Sequence, residues 1–278
     1  MPAKRRGRRG VSLIGLLAVV AVAVGLYLAF QQVVPVLRSS GCNAEASGQV
    51  IPLSPSQAGI AATIAGVAHH RRMPTRAVTI AYAAAMQESK LQNLRYGLQD
   101  SVGVFQQRPS QGWGTARQIE DPVYAATRFF EALSQVPRYT SLPVYQAAQD
   151  VQRSADGYAY SQYQYVAARM ARAFAGRVPH AVWCWYPGMR ASSAHLAAAA
   201  RELVRTFGPL RVRRGSDPDL TVRARGAPGW AVAAWLVSNA QDYGVTSVRY
   251  DGYKWTAAGG GRGWRRSRGI PAGVVIAG

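Results

Sequence analysis

The chain has 278 residues and is strongly basic, with 33 Lys and Arg against 13 Asp and Glu and a formal net charge of +20 at pH 7. Hydrophobic residues make up 49% of the sequence, which excludes wholesale disorder because enough apolar surface is present to build a core. The length predicts about two compact domains. The charge predicts attraction to polyanions such as wall polymers, lipid head groups or nucleic acid, unless it only keeps the surface soluble.

The first segment with a clear pattern is an uncharged stretch of twenty residues at 11–30. At a helical rise of about 1.5 Å per residue it matches a hydrocarbon core about 30 Å thick. Five basic residues precede it within 1–10, and such flanks remain in the cytoplasm. We therefore expect a cytoplasmic tail at 1–10, one transmembrane helix at 11–30 in the plasma membrane, and an extracellular remainder. A cleaved signal peptide and a lipoprotein at Cys42 are the competing interpretations.

Helical patterns dominate the middle of the chain. Residues 31–55 contain three prolines and no sustained period, so we predict a linker there. From residue 56, apolar residues recur at spacings of three and four, which is typical of packed helices. Helices are predicted at 57–70, 75–92, 121–135, 143–153 and about 158–176, with a loop rich in Gly and Pro at 97–115. These elements predict a mainly α domain over 56–187.

The C-terminal part has a different pattern. After a helix at 194–207, the runs LRVRR and LTVRAR are predicted to be strands, and a helix follows at 228–244. Asp251-Gly252 is predicted to join two more strands as a hairpin. We expect a small, basic α/β domain over 188–278. The fold class of the whole chain is then α+β multidomain, with a single N-terminal transmembrane helix, a mainly α domain and this small α/β domain.

Two cysteines, Cys42 and Cys184, bracket the helical part of the sequence. An exported chain enters an oxidising compartment, where such a pair tends to close. We therefore predict a disulfide between them. Two unrelated buried thiols are the alternative.

One carboxyl group lies on a predicted apolar helix face. Ile80, Ala84 and Glu88 follow one another at spacings of four, which places Glu88 on the buried stripe near the C-terminal end of its helix. Desolvation and the negative end of the helix dipole favour a protonated carboxylic acid there, as a general acid requires. In the alternative, Glu88 reaches solvent or pairs with Arg95 or Lys90.

The residues around this helix end resemble a known enzyme family. Glu88-Ser89, a short irregular loop and the run Ser-Val-Gly-Val-Phe-Gln at 101–106 look like the Glu-Ser and Gly-Leu-Met-Gln pattern of lysozyme-like soluble lytic transglycosylases. Segments 121–126 and 147–149 are similar to the two helices that follow in that family. The block 56–187 also resembles exported actinobacterial lysozyme-like domains marked by FQQRPSQGWGT, which is present here at 105–115.

The resemblance implies cleavage of the β-1,4 glycosidic bond of peptidoglycan by a single carboxyl group. Glu88 would protonate the leaving oxygen and then assist internal attack by the sugar's own hydroxymethyl group, which gives an anhydro product. Asp100, Glu120 and Asp121 are available for a scheme with two carboxylates instead. The expected substrate-binding residues belong to the loop or form the aromatic walls of a sugar groove: Ser89, Tyr96, Ser101, Gly103, Phe105, Gln106 and Trp113. Core packing is the alternative role for each aromatic side chain.

The segment 218–256 resembles a domain of actinobacterial cell-wall proteins that is related to zinc-dependent D-alanyl-D-alanine peptidases. The likeness rests on Gly229-Trp230-Ala231, Gly244-Val245 and the run 250–255. Those enzymes bind zinc through His and Asp, and the last histidine of this chain is His195. We therefore expect no metal and no cofactor, and a noncatalytic domain that binds wall polymer or a protein partner.

The function predicted from the sequence is action on peptidoglycan glycan strands by a membrane-anchored, outward-facing protein with envelope proteins as further partners. A noncatalytic peptidoglycan-binding scaffold of an envelope or transfer apparatus is the alternative. A basic DNA-contacting component is a third hypothesis, although we do not expect nucleic acid as a partner. The sequence has no phosphate-binding loop, dinucleotide fingerprint or nucleophile elbow.

Overall fold

The computed structural model describes residues 20–28, 39–154, 157–189, 193–214 and 219–278. Residues Ser40–Gly278 form one compact unit, and Met1–Ser39 form another, in which a helix is described at 20–28.

The fold class predicted from the sequence is wrong in its transmembrane helix. No helix within the described ranges is long and apolar enough to cross a membrane. Of the predicted span, residues 20–28 are described, and they are helical. The rest of the predicted span, 11–19 and 29–30, lies outside the described residues, and so does the basic tail at 1–10.

The compact unit is an α+β fold. Its α-helices in the described residues are α1 (Pro55–His70), α2 (Thr75–Ser89), α3 (Ala116–Ile119), α4 (Pro122–Gln135), α5 (Val144–Gln152), α6 (Gln164–Phe174), α7 (Ser193–Phe207), α8 (Ala227–Ser238) and α9 (Ala240–Tyr243). Short 3-10 helices occupy Pro109–Gln111, Gly157–Tyr163 and Gly260–Arg262. The strands are β1 (Gly41–Ala46), β2 (Gln49–Leu53), β3 (Val182–Trp185), β4 (Arg211–Arg214), β5 (Leu220–Arg223), β6 (Ser247–Tyr250), β7 (Tyr253–Thr256), β8 (Arg265–Arg266) and β9 (Val274–Ala277).

Helices α1 and α2 form the centre of the helical part. Ser54 and Gln57 make a reciprocal capping box at the start of α1, which satisfies two backbone N–H groups that the helix leaves free. Both helices are rich in Ala and buried over most of their length, so neighbouring helices approach closely on several sides. Helix α2 packs on α5 and α6, while α1 packs on α4, α7 and α8. The predicted helix 75–92 ends earlier than expected, because Lys90 adopts a left-handed conformation.

A small antiparallel sheet, ordered β2-β1-β3, closes the helical part. The strands β1 and β2 occupy part of the predicted linker 31–55. They pair with each other, and β1 also pairs with β3, which is more than a hundred residues away in the sequence. Cys42 lies opposite Cys184 in the β1–β3 register, and the two form a disulfide. The predicted disulfide is confirmed.

A six-stranded antiparallel sheet, ordered β4-β5-β9-β6-β7-β8, forms the C-terminal part. The hairpin at Asp251-Gly252 is confirmed, and both residues have positive φ as such a turn requires. Helix α8 packs between this sheet and α1, and the indole of Trp235 donates a hydrogen bond to Thr63 at 3.3 Å. The division predicted at 187–188 therefore falls inside the compact unit.

Candidate active site

The carboxyl group of Glu88 lies in the last turn of α2 and is half-buried. Its Oε1 atom accepts a hydrogen bond from the hydroxyl of Tyr160 at 2.6 Å. The Tyr160 side chain is fully buried in the 3-10 helix Gly157–Tyr163, which packs on both α2 and α5. A neutral phenol held by the core therefore fixes the position of this carboxyl group.

The cations close to Glu88 in sequence bind other groups. The ammonium of Lys90 donates a hydrogen bond to the hydroxyl of Tyr163 and lies 4.7 Å from the centre of that ring. The guanidinium of Arg95 pairs with Glu120 at 3.7 Å. Among the described residues, Glu88 forms no ion pair, so the alternative in which it pairs with Lys90 or Arg95 is not observed.

Ser89 fixes the following loop beside the end of α2. Its side chain is buried, and its Oγ donates to the carbonyl of Val104 at 2.7 Å and lies 3.1 Å from the carbonyl of Ala85. The same oxygen accepts the backbone N–H of Gln92 at 3.2 Å. Ser89 is thus a loop-fixing residue whose hydrogen-bonding capacity is used within the protein.

The loop at 101–107 is held in one conformation by short-range contacts. Gly103 has φ of +79°, and a Cβ at this position would lie 2.6 Å from the carbonyl oxygen of Ile119, so only glycine fits. The amide of Gln106 donates to the carbonyl of Gly103 at 3.1 Å, and its Oε1 lies 3.1 Å from Ser101 Oγ. The structure therefore brings Ser101, Gly103 and Gln106 together in one loop, and Ser89 ties this loop to the end of α2 through the carbonyl of Val104.

The three aromatic residues predicted to line a sugar groove have different surroundings. Phe105 is fully buried and stacks on Phe129 with ring centres 4.5 Å apart, which places it in the core. Tyr96 is 74% exposed on the loop before Gly103. Trp113 is half-buried and lines a large cleft. The core alternative thus applies to Phe105.

That cleft has a volume of about 1120 Å³ and lies between α4, the end of α5 and the loop at 111–113. Glu88 is not among its lining residues, so this cleft and the candidate acid are separate features. Gln152 lines the cleft and links it to the loop at 101–107, because its side chain donates a hydrogen bond to the carbonyl of Phe105 at 2.8 Å. Gln149 also lines the cleft, and its side chain binds Ser154 at the end of α5.

Sequence reasoning did not assign roles at this site to Tyr160, Gln149 or Gln152. Tyr160 lies 72 residues after Glu88, and the tyrosines around it give no local signal that one of them reaches the carboxyl group. Gln149 lies in the segment 147–149, which resembles the transglycosylase pattern. That resemblance is the sequence feature that could have pointed to a role for Gln149 at this site.

The other carboxyl groups near the loop have structural partners. Asp100 accepts hydrogen bonds from Arg108 and from the backbone N–H of Ser110, which together lower the pKa of Asp100 to about 2. Burial acts to raise the pKa of Asp121, but hydrogen bonds from Arg205 and from the start of α4 outweigh it and lower that pKa.

No group of three or more His, Cys, Asp or Glu side chains in the described ranges is arranged to hold a metal ion. Of the residues that resemble the peptidase relatives, Trp230 is buried in α8 and packs edge-on against Tyr250. No protein-family model matches the chain, and no curated protein matches it significantly. The likeness to lytic transglycosylases therefore rests on the residues quoted from the sequence.

Proposed function

We propose that this protein cleaves the β-1,4 glycosidic bonds of peptidoglycan, with Glu88 as the single acid and base. The observation that carries the proposal is the environment of Glu88, which is half-buried and bound by the phenol of Tyr160 at 2.6 Å instead of by a cation. A carboxyl group that is not committed to an ion pair is available to exchange a proton with a substrate.

The proposed reaction needs one carboxyl group and no water. Glu88 donates its proton to the glycosidic oxygen while the bond from that oxygen to the anomeric carbon breaks. The resulting carboxylate, stabilised by the hydroxyl of Tyr160, then takes the proton of the sugar's own hydroxymethyl group. The oxygen of that group bonds to the anomeric carbon, which closes the anhydro ring and returns Glu88 to its acid form.

Two further observations support a single-carboxyl scheme. Asp100, Glu120 and Asp121 each bind an arginine, so their charges are committed to holding the loop and α4. The loop that follows Glu88 is anchored by Ser89, as the resemblance to the transglycosylases implies for this position.

We propose that the scissile bond of the glycan strand lies at Glu88 and that the strand continues over the neighbouring loop into the cleft. Glutamine side chains suit sugar hydroxyl groups, and an indole suits the apolar face of a sugar ring. Gln149, Gln152 and Trp113 line the cleft, and Gln152 touches the same loop that Ser89 anchors. The disulfide between Cys42 and Cys184 fits action in an oxidising, extracellular compartment, where envelope proteins are further proposed partners.

The test is digestion of purified peptidoglycan sacculi by the full chain, with mass analysis of the released fragments. We expect anhydro-muropeptides from the wild type, and a rate lower by about 100-fold to 10,000-fold for Glu88→Gln, because the proton donor is lost. The new amide oxygen still accepts the hydrogen bond of Tyr160, so the fold should be retained. Glu45→Gln, the same chemical change at an exposed site on β1, is the matched control and should cleave like the wild type.

Two outcomes would replace the proposal. Wild-type protein that binds sacculi without releasing fragments would favour the noncatalytic scaffold. Equal losses in Glu88→Gln and Glu120→Gln, with hydrolysed rather than anhydro ends, would favour two carboxylates. Unchanged cleavage by Glu88→Gln would show that the acid lies elsewhere.

A further inference from the structure

The six-stranded sheet has one apolar face and one basic face. Side chains alternate between the two faces of a strand, so paired residues in the register share a face. On one face, Leu220, Val222, Val248, Trp255 and Val275 are buried, and helix α8 packs against this side.

The register assigns eleven residues of the described strands to the opposite face, which we call the basic sheet face: Arg211, Arg213, Thr221, Arg223, Ser247, Arg249, Lys254, Thr256, Arg265, Val274 and Ile276. Six of these eleven residues are Arg or Lys, and none is acidic. Five of the six cations are exposed, the exception being the half-buried Arg249. The face is therefore a strongly positive surface that is open to solvent.

The register also places cations in a line across the strands. Adjacent strands are about 4.8 Å apart, so a row that crosses all six strands is about 24 Å long. One such row contains, in order, Arg213, Thr221, Ile276, Arg249, Lys254 and Arg265. Arg211 and Arg223 are paired beside its first end. Arg249, Lys254 and Arg265 are thus direct neighbours at one end of the row. At the other end, Arg211, Arg213 and Arg223 lie close together.

Among the described residues, few ion pairs neutralise this charge. Asp219 binds Arg249 at 2.7 Å. For the other five cations of the basic sheet face, no ion pair occurs within the described ranges. A surface of this kind attracts a partner with a matching line of negative charges.

We propose that the basic sheet face binds a linear polyol-phosphate polymer, which is a flexible chain of phosphodiesters without bases. The row of cations suits a chain laid across the strands, and each contact with a phosphate releases counterions. The face carries no aromatic residue, whereas proteins that bind single-stranded nucleic acid stack bases on aromatic side chains. Its apolar residues, Val274 and Ile276, are half-buried and do not project as anchors into a lipid surface.

The test measures binding of synthetic poly(glycerol phosphate) to the full chain at several salt concentrations. The test variant is Arg223→Gln with Lys254→Gln and Arg265→Gln, and the control is Arg117→Gln with Arg138→Gln and Arg201→Gln. All six residues are exposed, and both variants lose three positive charges and keep the basic residues at 4–9. Circular dichroism of both variants checks that the fold is retained.

We expect the test variant to bind at least about tenfold more weakly near 0.1 M salt than the control. The slope of log affinity against log salt should fall by about 2, which is about 0.7 for each of three lost phosphate contacts. Equal binding by the two variants would overturn the proposal. So would binding of an oligothymidylate with the same number of phosphates at least tenfold more tightly, which would indicate base recognition. Binding to phosphatidylglycerol vesicles without binding to the free polymer would indicate a lipid surface instead.

Discussion

The helical part at 55–174 and the six-stranded sheet at 211–278 are both rich in basic residues, but they differ in how far these residues pair with acidic ones. In the helical part, Asp100, Glu120, Asp121 and Glu131 each pair with an arginine, so much of the positive charge near the candidate active site is neutralised. On the basic sheet face, one pair with Asp219 is formed among the described residues. The basic sheet face therefore differs from the helical part in that five of its six cations have no acidic partner among the described residues.

The two regions also position their functional groups by different means. Glu88 depends on single side-chain hydrogen bonds, from Tyr160 to its own carboxyl group and from Ser89 to the neighbouring loop. The cations of the basic sheet face are aligned by backbone pairing, which no single side chain controls. Single substitutions should therefore damage the helical site, whereas the sheet should tolerate them and respond only to several together.

The largest expected effect tests whether the helical site is supported by the core. Phe105→Ala removes a fully buried ring that stacks on Phe129, so the free energy of unfolding should fall by about 3–5 kcal/mol in a denaturant titration. Tyr96→Ala, at an exposed position on the same loop, should change it by less than about 0.5 kcal/mol. Similar losses in both variants would contradict the core role of Phe105.

The second prediction tests how strongly the two regions are coupled. The bond between Cys42 and Cys184 closes a loop with a sequence separation of 142, and replacing both cysteines by serine should lower the free energy of unfolding by about 2–5 kcal/mol. Because α1 and α8 share a core, unfolding should remain a single transition. Two separate transitions would show that the regions fold independently, and free thiols in unfolded, unreduced protein would contradict the bond itself.

The third prediction tests whether Tyr160 positions the carboxyl group of Glu88 or contributes to substrate binding. Tyr160→Phe removes one hydrogen bond to the carboxyl group, and a bond to a charged group contributes about 1.5–3 kcal/mol, so kcat should fall by about 10-fold to 100-fold. KM should stay unchanged because Tyr160 does not line the cleft. Tyr163→Phe, which loses the contact with Lys90 instead, is the matched control. A rise in KM with constant kcat would assign Tyr160 to substrate binding.

The smallest expected effect concerns the ion pair between Asp121 and Arg205, which joins the start of α4 to α7. Because the pKa of Asp121 is lowered in the folded protein, its ionised form adds stability above about pH 4 that is lost as the pH falls through the folded pKa. Both side chains are partly exposed, so Arg205→Gln should cost about 0.5–1 kcal/mol at pH 7 and less near pH 3. Arg201→Gln, an exposed change one turn earlier, should show no such pH dependence.

The local sequence pattern was sufficient to predict several of the helices and the hairpin. Spacings of three and four predicted α1, α4, α5 and α7 to within a few residues, because the buried side of a helix recurs with its own period. Asp251-Gly252 predicted its turn, because few other dipeptides adopt positive φ at both positions. The pair of cysteines predicted the disulfide from the chemistry of the compartment. These features depend on neighbours in the sequence or on composition.

Only the tertiary structure decided the partners of distant residues. Strand β1 lies in a predicted linker and pairs with β3, which is far away in the sequence, and the phenol that binds Glu88 comes from 72 residues away. The line of cations on the sheet likewise depends on a strand order, β4-β5-β9-β6-β7-β8, that no local pattern encodes. Periodicity reports which face of an element is apolar, whereas the contacts between elements are set by packing and register over the whole chain.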